Sequence, residues 1–238
     1  MEIIHGEFGG DFFCMDAITG NPEWDLTVDP NSSVQTAPTI LDVNGDGVLD
    51  FVVATWGFND NSTLYAYEST TQNLLWSKDL DDVVYHGTAV ADIDNDSKPE
   101  LIIGDYSGKL WAVNAEDGSE VWTHSESYYF GAPVTVGDIN GDQACEIIAI
   151  SWFKILAFDG GGNVLWTFDV PDFANVFRGV VLADITDDAV PEVIFGSSAG
   201  SVFALNGDNG NMLWSIDLEA HFGDTLEFDH APVIADFN

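Results

Sequence analysis

The chain has 238 residues, of which 46% are hydrophobic and 13% aromatic, and it carries 41 acidic residues against 5 basic ones, a formal net charge of −36. This length fits one domain with a sizeable core, and the acidity excludes nucleic acid and anionic membrane surfaces as partners, because like charges repel. No apolar segment approaches the roughly 20 residues of a membrane-spanning helix, so membrane insertion is not expected. The first residues lack the basic and apolar regions of a signal peptide.

Tryptophan marks a repeat that runs the length of the chain. Four of the tryptophans lie at the end of a common motif, which consists of an apolar strand, a turn that ends in glycine and three further residues. In the unit that ends at Trp76, Gln72 replaces that glycine. Aspartates recur in register at intervals of 46 to 52 residues. Two markers with one period indicate tandem structural units. The tryptophans are Trp24, Trp76, Trp122, Trp166 and Trp214, and the aspartates are Asp42, Asp92, Asp138, Asp184 and Asp236.

Each unit is predicted to form four short β-strands. In the best example, residues 132–136 lead into an aspartate-rich loop, residues 146–150 form a β-branched apolar run, and residues 155–158 return before the Trp strand. No segment has sustained helical periodicity. The prediction is therefore an all-β fold, a single β-propeller domain over residues 1–238 with about five four-stranded blades.

The chain ends suggest a way to close the ring. Residues 230–238 look like a first strand entering another aspartate-rich loop, and residues 2–6 look like the strand that would follow such a loop. Pairing of the two segments would complete one blade and hide two sheet edges. The alternative is that the chain is part of a longer propeller.

Two phrases resemble known repeat families. Residues 37–50, with Asp42-Val43-Asn44-Gly45-Asp46-Gly47 at their centre, resemble the calcium-binding FG-GAP repeats of integrin-like propellers. Residues 202–214, which end at Trp214, resemble the Trp-docking repeat of quinoprotein-like (PQQ-like) propellers. Every unit combines both phrases. The resemblance implies a propeller that binds calcium, but it leaves the function open, because such propellers host adhesion, scaffolding and catalysis.

The aspartate-rich loops are candidate Ca²⁺ sites, three to four in number, because Ca²⁺ takes six to eight oxygen ligands from flexible acidic loops. We call residues 42–50, 92–100, 138–146 and 184–192 the first to fourth acidic loops. The expected side-chain ligands are Asp42, Asn44, Asp46 and Asp50; Asp92, Asp94, Asp96 and Glu100; Asp138, Asn140, Asp142 and Glu146; and Asp184, Thr186, Asp188 and Glu192. Backbone carbonyls at Val48, Lys98, Ala144 and Val190 would add one ligand each. A fifth site from Asp236, Asn238 and Glu2 would lack its central acid.

The face opposite the acidic loops is the candidate ligand surface. Strand order places the hairpins and the links between blades there, and both are rich in aromatic residues, such as Trp56, Phe58, Tyr106 and Trp152. His86, Arg178 and His230 each precede an innermost strand and should converge near the axis, where they could hold an anionic group. The alternatives are that the aromatic residues serve packing between blades and that Arg178 pairs with nearby carboxylates such as Asp172.

The sequence favours a non-catalytic binding or adhesion module at an extracellular location or the cell surface, with a protein or glycan ligand. One alternative is a self-assembling structural subunit of an extracellular assembly. Another is a fragment of a propeller enzyme, a quinoprotein dehydrogenase or a polysaccharide lyase. No Ser-His-Asp, Cys-His or zinc-spaced cluster stands out, and no Lys or Arg recurs beside the acidic loops as a base.

Overall fold

The structure, a computed structural model, describes residues 1–57, 61–223 and 231–235. The strands of the first two sheets, and a short pair of strands beside them, are β1 (Glu2–Gly6), β2 (Asp11–Asp16), β3 (Pro22–Thr27), β4 (Ser32–Ser33), β5 (Thr39–Leu41), β6 (Asp50–Ala54), β7 (Trp56–Gly57), β8 (Thr63–Tyr67) and β9 (Leu74–Asp79). The strands of the third sheet are β10 (Ala89–Ala91), β11 (Glu100–Gly104), β12 (Lys109–Asn114) and β13 (Glu120–Ser125). The last two sheets contain β14 (Thr135–Gly137), β15 (Glu146–Ser151), β16 (Lys154–Phe158), β17 (Val164–Asp169), β18 (Val181–Ala183), β19 (Glu192–Gly196), β20 (Ser201–Leu205) and β21 (Met212–Asp217).

The strands form the antiparallel meanders of propeller blades, as predicted. Four sheets have four strands in chain order, β5-β6-β8-β9, β10 to β13, β14 to β17 and β18 to β21, and β4 pairs separately with β7. The first sheet has three strands, β1 to β3. Across the described ranges, helical structure is limited to a 3-10 turn at Pro171–Phe173 and the five-residue helix α1 at Leu218–Phe222. Within the described residues, no helix has the length and apolarity needed to span a membrane.

The second strand of each four-stranded blade is its most buried element. β6, β11, β15 and β19 are short apolar runs whose residues are almost all buried, because each sheet packs against the blades beside it. Each of these strands begins with a buried acidic residue that ends an acidic loop. Since the strands alternate in direction, the acidic loops share one face of the molecule and the hairpins to the next strand lie on the other.

Tryptophan joins each of three blades to the next. The indole Nε1–H of Trp76 donates to the carbonyl of Ala115 at 2.8 Å, that of Trp122 to Gly160 at 2.9 Å, and that of Trp166 to Gly207 at 2.7 Å. The acceptors lie in the turn between the third and fourth strands of the following blade, which we call the docking turn. Its glycines, Gly118, Gly162 and Gly210, have φ between +69° and +79°. A Cβ on any of them would lie 2.6 to 2.7 Å from the indole ring, so only glycine fits.

The contact between the first and second blades departs from this pattern, and Gln72 explains why. Gln72 adopts the left-handed conformation of the missing glycine, with φ of 58°. Its side-chain Nε2 donates to the Ser69 carbonyl at 2.6 Å, which is the acceptor position that a docking tryptophan uses in later blades. Trp24 instead stacks on Phe51, with ring centroids 5.7 Å apart. The glutamine thus replaces the indole as hydrogen-bond donor.

The blades form an open array in the described part of the chain. β1 pairs only with β2, and residues 231–235 form no strand. Trp214, in the last strand, is 43% exposed, whereas Trp76 and Trp166 are buried. Closure through residues 230–238 stays a prediction, because His230, Asp236 and Asn238 lie outside the described residues, as does Phe58.

Trp166→Phe should lower the free energy of unfolding by about 1–3 kcal/mol, because it leaves the buried Gly207 carbonyl without its donor. The matched variant Trp24→Phe should cost less, since Trp24 makes no such hydrogen bond in the described residues. Urea denaturation followed by circular dichroism measures both. Equal losses in the two variants would show that the indole hydrogen bond adds nothing to ring stacking.

Candidate functional site

The four acidic loops have one backbone conformation. In each loop the first aspartate accepts, through Oδ2, the N–H of the residue five positions later. These bonds join Asp42 to Gly47 (2.8 Å), Asp92 to Ser97 (3.0 Å), Asp138 to Gln143 (2.9 Å) and Asp184 to Ala189 (2.9 Å). The third acidic position, at Asp46, Asp96, Asp142 and Asp188, accepts the N–H two residues later at 2.8 to 2.9 Å. The predicted carbonyl ligands Val48, Lys98, Ala144 and Val190 are the residues that donate these bonds.

The last carboxylate of each loop is buried and held at one oxygen. That oxygen accepts the N–H of the residue seven positions earlier, so the carboxylate closes the loop on itself. The bonds run from Val43 to Asp50 (3.2 Å), from Ile93 to Glu100 (2.9 Å), from Ile139 to Glu146 (2.9 Å) and from Ile185 to Glu192 (2.9 Å). The second oxygen of each carboxylate takes no part in this bond.

The loops differ in what that second oxygen contacts. Glu146 Oε1 accepts from Asn140 Nδ2 at 3.0 Å, and Glu192 Oε1 accepts from the Thr186 hydroxyl at 3.3 Å. In the second loop the equivalent residue is Asp94, which has no hydrogen to donate when ionised. Glu100 Oε1 is accordingly buried without a hydrogen-bond partner. An unpaired buried carboxylate oxygen is costly, and a cation would satisfy it.

The structure gathers ligand atoms most closely in the second and third loops. Carboxylate oxygens of Asp92, Asp94 and Glu100 lie within 4.8 Å of one another, and those of Asp138, Asp142 and Glu146 do the same. Among the described residues the first and fourth loops hold no such group of three acids, and their final carboxylates are bonded at the second oxygen as well. Asp50 Oδ1, for example, accepts the Ser69 N–H at 3.2 Å.

Burial makes Glu100 and Glu146 weaker acids in the absence of a cation. It raises the pKa of Glu100 from 4.5 to about 7, and the neighbouring charges of Asp94 and Asp92 act in the same direction. Burial also raises the pKa of Glu146. The donor set, with flexible carboxylates plus backbone carbonyls on a tight loop, fits Ca²⁺ better than Mg²⁺, which keeps several waters.

Aromatic side chains on the opposite face form a continuous chain of rings across three blades, which we call the aromatic chain. Neighbouring ring centroids are 4.4 to 5.9 Å apart, the range of stacked and edge-to-face pairs. In spatial order the rings are Trp56, Tyr85, Tyr106, Tyr129, Trp152, Tyr128, Phe153 and Phe173. The predicted residues Trp56, Tyr106 and Trp152 therefore belong to one surface.

Hydrogen bonds between hairpins and interblade links hold the aromatic chain in place. The Trp152 N–H donates to the Tyr129 carbonyl at 3.2 Å, and Asn175 Nδ2 donates to the Tyr129 hydroxyl at 3.2 Å. Tyr106 and Tyr129 stack with planes 1° apart. Burial raises the pKa of Tyr106 to about 12, so the phenol stays neutral. The rings are ordered before any ligand arrives.

Two exposed members of the aromatic chain have strained backbones. Trp152 is 37% exposed with φ of 57°, and Phe173 is 73% exposed with φ of 56°. Bulky residues with positive φ cost on the order of 1–3 kcal/mol, and such strain clusters at binding sites. Asp172, beside Phe173, has φ of 57° as well.

The predicted axial mouth contains His86 and Arg178. His86 Nε2 lies 2.8 Å from the Gly131 carbonyl oxygen. Burial lowers the pKa of His86, and the charge of Arg178 acts in the same direction. His230 lies outside the described residues.

Arg178 forms no ion pair within the described residues, and the alternative of a pair with Asp172 is wrong. The four lysines, by contrast, each pair with a carboxylate: Lys78 with Glu120, Lys98 with Glu116, Lys109 with Asp81 and Lys154 with Glu126. Among the lysine and arginine side chains in the part of the chain that the structure describes, Arg178 is therefore the one that could still pair with an anion.

A lysine cluster beside Trp111 was not predicted from the sequence. Lys78 Nζ and Lys109 Nζ lie 5.1 and 4.5 Å from the Trp111 ring centroid, and Trp111 Nε1–H donates to Asp105 at 2.9 Å. Lys78 and Glu120 come from adjacent blades, so this cluster supports blade packing. Lys78 and Lys109 come close to Trp111 only when neighbouring blades pack, so the spacing of these residues in the sequence could not predict the cluster.

Comparison with known families decides which propellers this chain is related to. A family profile described as outer membrane protein assembly factor BamB matches residues 3–146, more than half of the chain. The chain belongs to this family. A curated relative of the BamB-family chain is the KICSTOR complex protein ITFG2 of Bos taurus, 32% identical over 87 residues, which cover 33% of this chain and 16% of ITFG2. The chain thus spans a small part of that relative.

Three solved structures similar to the BamB-family chain are longer than it. BamB from Moraxella catarrhalis is 21% identical with a TM-score of 0.66, over 90% of this chain and 57% of its own. BBS1N, solved in complex with ARL6DN, is 11% identical with a TM-score of 0.62, over 91% of this chain and 64% of its own. A europium-containing methanol dehydrogenase is 11% identical with a TM-score of 0.66, over 91% of this chain and 49% of its own. At these identities the likeness shows the fold alone.

Without a cation, Glu100 should make the BamB-family chain less stable as pH rises from about 4.5 to about 7. Its folded-state pKa is raised, so the protonated form favours folding below pH 4.5 and this stability is lost as the pH passes the folded pKa. Chelator-treated Glu100→Gln should lack this loss, up to about 3 kcal/mol relative to the wild type at pH 7. Denaturant unfolding at several pH values measures it.

Glu192→Gln is the matched control for this prediction, because Thr186 already donates to Glu192 Oε1. It should retain the pH dependence of the wild type. If Glu100→Gln and the wild type lose stability in parallel, burial of Glu100 is not the cause.

Proposed function

We propose that the chain is a non-catalytic β-propeller that is braced by calcium on one face and binds a protein partner on the other. The observation that carries the binding half is the aromatic chain, in which two exposed members, Trp152 and Phe173, have strained backbones. Exposed aromatic groups that are ordered before binding give large contact area at low entropic cost. Such residues dominate the binding energy of protein interfaces.

Three similar proteins support a protein partner. The matching family is described as an assembly factor, and ITFG2 is a protein of the KICSTOR complex. BBS1N was solved in complex with ARL6DN. We infer that the partner contacts the aromatic chain and places an acidic group at Arg178, since that guanidinium lacks a carboxylate partner in the described residues. A guanidinium binds a carboxylate through two parallel hydrogen bonds.

Calcium supports this surface from the opposite side. We propose Ca²⁺ at the second and third acidic loops as the stronger sites, with the first and fourth loops weaker. In the second loop the cation would contact Asp92, Asp94, Asp96 and Glu100, and it would satisfy the orphaned Glu100 Oε1. Its role is structural: ion binding to the folded state raises stability by mass action.

An extracellular or cell-surface setting accords with these features. Exposed acidic loops of this type bind Ca²⁺ over a wide affinity range, and extracellular modules use millimolar calcium. The net charge of −36 suits a saline medium, where ions screen repulsion between carboxylates.

Calcium titration by calorimetry on chelator-treated protein should resolve at least two sites and raise the melting temperature. Glu100→Gln should remove or weaken the tightest site by about tenfold or more, since it removes one charged ligand. Thr186→Ala is the matched control in the fourth loop and should leave the tight sites unchanged. No heat of binding in the wild type would overturn the calcium assignment.

Partner binding should depend on Trp152 and Phe173, the exposed members of the aromatic chain with strained backbones. Peptides selected from a random displayed library on the calcium-loaded chain should contain acidic residues and bind through this face. Trp152→Ala and Phe173→Ala should each weaken binding of a selected peptide by about tenfold or more, the loss expected at an interface hot spot. Phe8→Ala is the control, because Phe8 lies on the same face, is 65% exposed and contacts no ring of the aromatic chain.

Three results would contradict this function. Equal peptide binding by Trp152→Ala, Phe173→Ala and the wild type would remove the aromatic chain from the interface. Binding to oligosaccharides with no peptide selected would favour a glycan partner. A quinone absorbance spectrum in the purified protein would favour an enzyme.

A further inference from the structure

The two ends of the blade array carry the two halves of the contact that joins blades within the chain. At one end Trp214 occupies the position of Trp76, Trp122 and Trp166, but it makes no hydrogen bond in the described residues. Its neighbours on β21 are exposed too: Met212, Leu213 and Ile216. This end therefore presents an indole donor and an apolar strand.

At the other end lies a docking turn without a tryptophan. In the first blade the turn Asp16–Gly20 has the same internal bonds as the occupied turns. The Gly20 N–H donates to the Asp16 carbonyl at 2.9 Å, as Gly118 does to Asn114 and Gly210 does to Asn206. Gly20 has φ of +72°, within the range of the occupied turns.

Among the described residues the first-blade turn is nevertheless vacant. A Cβ on Gly20 would meet nothing within 4 Å in that part of the chain, whereas at Gly118, Gly162 and Gly210 it would meet an indole ring. Ile18, at the tip of this turn, is 88% exposed. The Ala17 carbonyl, equivalent to the acceptor at Ala115, accepts no hydrogen bond in the described part of the chain.

We propose that a second copy of this chain occupies the vacant turn, with Trp214 of one copy docked against Gly20 and the Ala17 carbonyl of the next. The contact continues an interface that the chain already makes three times between its own blades. The Gln72 substitution that prevents indole docking at the second blade is absent here, because the first-blade turn has glycine.

The interface is head-to-tail, so the same two surfaces remain available after one contact forms. Association of this kind grows into a ring or a filament rather than stopping at a symmetric dimer. Each copy carries a net charge of −36, so repulsion opposes the contact at low ionic strength. Association should therefore strengthen at about 1 M salt, where the Debye length is about 3 Å.

Sedimentation velocity of the calcium-loaded chain, from about 1 μM to about 1 mM, tests the proposal. The wild type should associate with rising concentration in high salt. Trp214→Ala should weaken association by about tenfold or more, because it removes the donor and the central ring of the interface. Gly20→Ala should do the same, because its methyl group would occupy the position of the incoming indole.

Two controls separate docking from damage to the fold. Gly223→Ala introduces the same strain, at φ of +78° and with nothing within 4 Å, and should leave association unchanged. Melting temperatures show whether each variant is folded.

Mixing the two interface variants gives the decisive result. Trp214→Ala retains a working turn and Gly20→Ala retains a working tryptophan, so the mixture should form a one-to-one dimer that grows no further. A wild type that stays monomeric at all concentrations, including one that closes its ring internally, overturns the proposal. So does a mixture that remains monomeric, or a Trp214→Ala variant that associates as the wild type does.

Discussion

The contact of a tryptophan indole with a left-handed glycine turn of the next blade is the interaction on which the rest of this structure depends. A four-stranded sheet of about twenty residues cannot bury its apolar faces alone, so each blade is stable only against its neighbours. The indole covers the turn and bonds a carbonyl that would otherwise lose its partner on burial. Where Gln72 takes that carbonyl, the contact is reduced to the stacking of Trp24 on Phe51.

The acidic loops take part in the same contact between blades. A Cβ on Gly160 would lie 1.7 Å from the Ile93 carbonyl oxygen, and one on Gly207 would lie 2.8 Å from that of Ile139. The docking turn of one blade thus packs directly on the acidic loop of the preceding blade. A cation that fixes the second loop would also fix the surface on which the next blade docks, and so would support the aromatic chain at the opposite ends of the same strands.

Much of the fold could be predicted from the sequence, because each marker reports a local requirement. The tryptophan period and the aspartate period predicted the blades, and the loop spacing predicted which acids come together in the second and third acidic loops. The ranking of the loops could not be predicted, because it depends on how closely the carboxylate oxygens of each loop approach one another in the fold. The continuity of the aromatic chain was also beyond the sequence, since Tyr106 and Tyr129 meet only after two blades pack. That Arg178 has no ion pair in the described residues likewise depends on how the folded chain places its carboxylates.

Crystallographic anomalous scattering from calcium-soaked crystals tests the central claim, that cations brace this propeller, most directly. The account predicts a peak in the second acidic loop, coordinated by Asp92, Asp94 and the orphaned oxygen of Glu100, and a second peak in the third loop. Difference density for water alone at Glu100 Oε1, with no anomalous peak in any acidic loop, would contradict it.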